Sequence, residues 1–165
     1  MMKTERKSPD LDATDHRILA ALVEDGRMST LDLADRVGLS PTPCSRRLRR
    51  LEDSGVIEGY TARINQAALG LNICVMVTVR LAKHGPETAD QFLRAIHGRP
   101  EITECLLVTG NIDYLLRVWV RDVDALRDFI KDGLQSIPAV AETSTMVILD
   151  VTKSAGPMTA LPSPP

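Results

Sequence analysis

Apolar residues recur every three or four positions up to Leu51, and from Leu71 they alternate with polar ones. That change of period divides the chain into a helical first half and a strand-containing second half. Ile18, Leu19, Leu22 and Val23 mark a first helix, started by Asp12 or a neighbour and ended at Asp25-Gly26. Leu33, Ala34 and Val37 mark a second, with Ser29 as N-cap and Asp32 at capping-box spacing. Gly38 suits a helix C-terminus. Ser40 is placed to cap a third helix, with Pro41 and Pro43 in its first turn. Helix, short glycine turn, helix is the shape of a helix-turn-helix. Val56, Tyr60, Ala62 and Ile64 then predict a strand, and residues 65–70 a hinge.

In the second half, Leu71, Ile73, Val75, Val77, Val79 and Leu81 predict one face of a strand. Its other face, from Asn72 through Cys74, Met76, Thr78 and Arg80 to Ala82, is half apolar and suggests a subunit interface. Pro86 opens a helix with Phe92, Leu93 and Ile96 inward, closed by Gly98. Strands follow over 102–109 and 114–120, around a turn at Gly110-Asn111. Asp122 caps a helix bearing Val123, Leu126, Phe129, Ile130 and Leu134. Ile137-Pro138 breaks it, and 140–151 is a last strand. The fold class is therefore α+β, with a βαββαβ ferredoxin-like second domain. Such a sheet carries helices on one face only, so its bare face predicts a homodimer. The boundaries are a disordered start at 1–10, a helix-turn-helix domain at 11–64, the hinge, the second domain at 71–152 and a flexible tail at 153–165. Four prolines in the thirteen residues from Lys153 make that tail extended.

The third helix carries the chemistry. At about 100° per residue, Cys44, Leu48 and Leu51 share an inward stripe, while Thr42, Arg46, Arg49 and Arg50 point away. Ser45 and Arg47 lie on the flanks. Five arginines and no acid occur between Arg36 and Leu51. An arginine face on a short helix suits phosphate contacts and bidentate reading of guanine edges in double-stranded DNA. A solvated surface face fits the same residues. On the DNA reading, Thr42, Ser45 and Arg46 meet base edges. Arg47, Arg49 and Arg50 hold phosphates, helped from the helix start by Ser40, Pro41 and Thr42.

Global charge hides this signal. The net charge is −2, and residues 1–65 carry 11 basic and 11 acidic side chains. Hydrophobic residues make up 44% and aromatics 3%, so the core is aliphatic. No apolar run has the length of a membrane span and no secretory pattern opens the chain, which predicts a soluble, cytoplasmic protein with no membrane partner. Cys44, Cys74 and Cys105 show neither metal spacing nor even pairing, and His16, His84 and His97 are scattered. No paired carboxylates, nucleophile–base pair or glycine-rich phosphate loop is present. The expectation is no enzyme, no cofactor and no metal.

Leu11-Asp12-x-x-Asp15, Asp25-Gly26-Arg27, the run from Gly38 to Cys44, that from Arg47 to Glu52 and that from Gly55 to Ala62 resemble the amino-terminal domain of the leucine-responsive/asparagine (Lrp/AsnC) regulators. The likeness is close over 11–65. The second half resembles the same family's effector and oligomerisation domain less sharply, best at Val108 to Tyr114, which looks like its Gly-x-x-Asp-Tyr turn.

That resemblance implies a small amino acid effector. Gly110 opens space for a carboxylate to approach backbone amides, with Thr109 and Asn111 beside it. Asp113 suits an ammonium group, and Tyr114 offers a ring and a hydroxyl. A tight hairpin with a capping Asp and a packed Tyr fits equally. Thr143, Ser144 and Thr145 line the same pocket across a dimer interface, or are an exposed β-branched face. The implied function is a transcriptional regulator that pairs through its C-terminal sheets and binds pseudo-palindromic DNA. The family suggests higher assembly to a tetramer or octamer, with the effector shifting assembly or helix spacing. A ligand-independent architectural DNA-binding protein is the alternative.

Overall fold

The computed structural model describes residues 10–83 and 85–153. The expectations for the first nine residues and for 154–165 lie outside the described residues. The chain divides between Ala62 and Arg63 into two compact units.

The first unit is three helices, α1 (Ala13–Glu24), α2 (Thr30–Val37) and α3 (Pro41–Asp53). Asp12 caps α1 by accepting the N–H groups of Thr14 and Asp15, and Asp15 returns a bond to the Asp12 N–H, a full capping box. Ser29 caps α2 by accepting the Asp32 N–H at 3.1 Å. Asp32 closes back on the Ser29 hydroxyl rather than on a backbone donor. Gly38 ends α2 at φ 69°, ψ 41°, and Leu39 N–H reaches the Ala34 carbonyl at 2.9 Å, a Schellman closure. Ile18, Ala21, Leu33, Ala34, Val37, Cys44 and Leu51 are buried together, with Leu39 and Leu48 packed on them. This core fixes which side of α3 faces outward.

The expected strand at 56–64 does not form. Val56 and Ile57 pack onto the helical core instead, and Ile57 N–H bonds the Leu51 carbonyl. Tyr60 and Ile64 are exposed. A strand needs an edge to pair with, and among the described residues none lies beside this segment.

The second unit begins with a short 3₁₀ turn, Ala67–Leu69, where a hinge was expected. It continues as β1 (Ile73–Leu81), α4 (Pro86–Ile96), β2 (Ile102–Leu107), β3 (Tyr114–Val120), α5 (Val123–Asp128) and β4 (Val140–Val147). The sheet order is β2-β3-β1-β4 and every neighbouring pair is antiparallel, the ferredoxin-like arrangement. Val75, Val77 and Val79 of β1 and Leu116 and Val118 of β3 are buried against Phe92, Ile96, Phe129 and Leu134 from the helical side. The opposite face carries Met76, Leu115 and Trp119, half-buried, with exposed Leu106 and Met146. No helix of this unit covers it among the described residues.

Four details differ from the periodicity. Leu93 is 40% exposed and Val123 70% exposed, because each helix turns only a narrow stripe to the sheet. β4 stops at Val147, where its pairing with Val75 ends. After Asp128 the helix widens into a π turn over Phe129–Leu134. There Gly133 admits the Arg99 guanidinium, which lies 3.0 Å from where a β-carbon would sit.

Candidate nucleic-acid interface

The outward face of α3 follows from its buried stripe. With Cys44 and Leu51 fully buried, Thr42, Arg46, Arg49 and Arg50 are exposed, and Ser45 and Arg47 lie half-buried at the flanks. An open depression runs along this face, lined by Thr42, Ser45, Arg46, Arg49 and Arg50, with Thr30 of α2 at one side. The structure therefore gathers most of the sequence-predicted DNA residues on one surface.

It also sorts the arginines. Arg36 pairs with Glu24. Arg47 Nη1 lies 2.6 Å from Asp12 Oδ2 and 2.9 Å from Asp15 Oδ1, and Arg50 Nη2 pairs with Asp15 Oδ2. Arg46 and Arg49 make no ion pair with any described residue. Arg47 and Arg50, expected at phosphates, are thus paired with the start of α1, Arg47 half-buried and Arg50 still lining the depression. The Asp15 side chain is wholly buried, an unusual state for a carboxylate, and two guanidiniums plus the Asp12 N–H compensate it. The N–H of Asp15 and the Arg47 guanidinium hold Asp12 down to about 2. The same pair of carboxylates raises Arg47 above its ordinary value. Sequence reasoning missed Asp12 and Asp15 as partners of α3. The signal was an i, i+3 acidic pair on α1 matching the i, i+3 arginines at 47 and 50.

Ser40 occupies the N-cap position but its side chain makes no cap bond. The reason is local. The third helical residue is Pro43, so one of the two donors a Ser N-cap reaches for, the third-residue N–H, is missing. Cys44 N–H already bonds the Ser40 carbonyl. Of the first three helical residues, Pro41, Thr42 and Pro43, only Thr42 has an N–H to offer an anion, so the helix start is a weak phosphate holder.

The expected effector residues fall at one end of the sheet. Gly110 has φ 127°, which a side chain would strain, and open space where a β-carbon would stand. Thr109 and Asn111 are exposed beside it. Asp113 is tied into the fold: Oδ2 accepts the Leu81 N–H at 2.7 Å, and its own N–H bonds the Val79 carbonyl. Tyr114 is buried, its ring 4.8 Å from that of Phe92, and burial pushes its hydroxyl up. Tyr114 and Thr143 both pair with Val79, from opposite sides, so β1 separates the two groups. Ser144 pairs with Thr78 on the open face, while Thr145 borders a groove with Leu126 and Ile130. Within one chain these residues do not meet in a common cavity.

Among the described residues no cluster could hold a metal ion, and no helix is long and apolar enough to cross a membrane.

Comparison with known proteins matches this division. Residues 11–58 match a winged helix-turn-helix DNA-binding domain, and residues 74–158 match the Lrp/AsnC ligand binding domain. The chain is 43% identical to the leucine-responsive regulatory protein of Escherichia coli over 149 residues, 90% of this chain and 91% of that one. A transcriptional regulator of Neisseria meningitidis, solved as a complex with L-Met, superposes with a TM-score of 0.83 at 33% identity, over 87% of this chain and 93% of that one. An AsnC family regulator of Agrobacterium tumefaciens gives 0.81 at 34% identity, over 87% and 94%. These relatives are regulators. A helix-turn-helix presenting arginine, followed by an antiparallel sheet domain that matches the family's ligand binding domain, makes this chain a member of the Lrp/AsnC family of DNA-binding transcriptional regulators.

Proposed function

We propose that this regulator acts in the cytoplasm as a homodimer that reads pseudo-palindromic DNA with α3 and takes an amino acid as effector. The observation that carries the reading is the outward face of α3. There Arg46 and Arg49, without an ion pair to any described residue, stand beside Thr42 and Ser45. Arg46, with Thr42 and Ser45, reads base edges, and Arg49 holds a phosphate.

The half-apolar sheet face around Met76, Leu115 and Trp119 supports pairing of two copies. Two-fold symmetry then sets half-sites one helical turn apart, about 34–36 Å, or a multiple of it. The L-Met complex of the Neisseria meningitidis relative supports an amino acid as ligand class. Gly110, Asn111 and Asp113 at the β2–β3 turn are the proposed ligand groups, with Thr143, Ser144 and Thr145 of a second copy facing them.

Selection of a bound sequence from random DNA, followed by salt-titrated binding, tests the DNA reading. Arg46→Ala should relax preference at one base pair by about 1–3 kcal/mol. Unchanged preference would remove Arg46 from the base edges. A thermal-shift screen of the twenty amino acids tests the effector, since a ligand of the folded state raises Tm. A flat screen would favour a ligand-independent architectural protein.

A further inference from the structure

We propose that Asp12 and Asp15 are positioning residues for DNA recognition: they hold Arg47 away from the phosphate backbone, so that α3 meets DNA through the exposed face that carries Arg46, Arg49 and Arg50. This rests on the reading that α3 contacts DNA.

The geometry is specific. The two acids lie three residues apart at the start of α1, and the two arginines lie three apart on α3, so each pair shares a helical face. Each oxygen has its own task. Asp12 Oδ1 accepts the N–H groups of Thr14 at 2.8 Å and Asp15 at 2.9 Å, which caps α1. Asp12 Oδ2 takes Arg47 Nη1 at 2.6 Å. Asp15 Oδ1 takes the same Nη1 at 2.9 Å, and Asp15 Oδ2 takes Arg50 and the Asp12 N–H. Asp15 is buried, so its attraction for the guanidiniums is less screened than that of a phosphate in water.

Withdrawing a cation from DNA has a definite consequence. Each lysine or arginine that neutralises a phosphate adds affinity for every sequence alike through counterion release. A fourth outward cation would strengthen non-specific binding without improving base readout. Arg47 committed to α1 leaves the specific contacts a larger share of the total. The same ion pairs prevent α3 from rolling about its axis, which keeps Arg46 aimed.

The oxygen assignment supplies the test. Asp12→Asn keeps Oδ1 and therefore the cap, since Asn caps as well as Asp. It replaces Oδ2 with an amide NH₂ that repels the Arg47 guanidinium, which keeps only the Asp15 Oδ1 contact. Binding of the full-length parent, Asp12→Asn, Arg47→Ala and Arg49→Ala to the selected site and to random duplex is measured across salt concentrations. The expected result for Asp12→Asn is a non-specific salt slope steeper by up to about 0.9 and a several-fold lower ratio of specific to random binding, with the variant still folded at the assay temperature. Arg47→Ala keeps the parent's slope, whereas Arg49→Ala makes it shallower by about 0.9. The positioning role is overturned if Asp12→Asn keeps the parent's slope and ratio, if it weakens all DNA equally in step with a lower Tm, or if Arg47→Ala lowers the slope as Arg49→Ala does. A parent that selects no sequence would overturn the reading of α3 itself. A parent that selects one while Asp12→Asn behaves identically overturns only the role of the acids.

Discussion

The rings of Phe92 and Tyr114 lie 4.8 Å apart at 36°, joining α4 to the first residue of β3. The ring of Tyr114 is therefore part of the core, although its neighbours Gly110 and Asn111 are exposed. Tyr114→Ala should destabilise the chain by about 3 kcal/mol, and Tyr114→Phe by under about 1 kcal/mol, because the ring carries the packing. Urea denaturation separates the two. If Tyr114→Phe also abolishes an amino-acid-induced rise in Tm, the hydroxyl contacts the effector.

Asp113 has a structural duty of its own, accepting the Leu81 N–H at 2.7 Å. Asp113→Ala should cost about 1–2 kcal/mol, whereas Asp113→Asn keeps an acceptor and loses less. If Asp113 also binds an effector ammonium, Asp113→Asn removes the thermal shift while the protein stays folded. A full shift in that variant would assign Asp113 to the hairpin only.

Gly38 turns the chain between α2 and α3 at φ 69°, with nothing within 4 Å of the place a β-carbon would take. The penalty for Gly38→Ala is therefore backbone strain, on the order of 1–2 kcal/mol. Its readout is a lower urea midpoint with an unchanged slope. Binding should survive wherever the variant is folded, because nothing at Gly38 faces the depression on α3.

Asp12 connects stability to acidity. Its carboxyl falls from 3.8 to about 2 on folding, owing to the N–H of Asp15 and then to Arg47. A depressed carboxyl stabilises the fold fully above its unfolded value and loses that effect as pH falls toward the folded one. The stability difference between the parent and Asp12→Asn should thus be constant above pH 4 and shrink between pH 4 and 2. Urea midpoints across that range measure it. A difference that persists undiminished to pH 2 would mean that neither the Asp15 N–H nor Arg47 depresses the Asp12 carboxyl.

The helices of the first unit were legible because their causes are local. Asp12, Ser29 and Gly38 act within three or four residues, and Cys44, Leu48 and Leu51 repeat at one period. The β1 alternation was equally plain, since Val75, Val77 and Val79 all point to one core. What escaped was tertiary. Arg47 and Asp12 are 35 positions apart, and no window of the chain shows that they touch. The segment from Val56 to Ile64 has strand-like residues, but pairing depends on an edge that sequence does not supply. Ser40 has the residue type of a cap, but Pro43 withholds the third-residue amide and the side chain makes no cap bond.

Pro41 and Pro43 have an effect beyond that lost cap. A proline ring collides with the carbonyl four residues before it, so α3 cannot grow backwards into Gly38 and Leu39, nor slip along its own axis. Its starting point is locked before any duplex arrives. The search for a target then proceeds with a preformed probe, and little ordering entropy remains to be lost at the moment of docking.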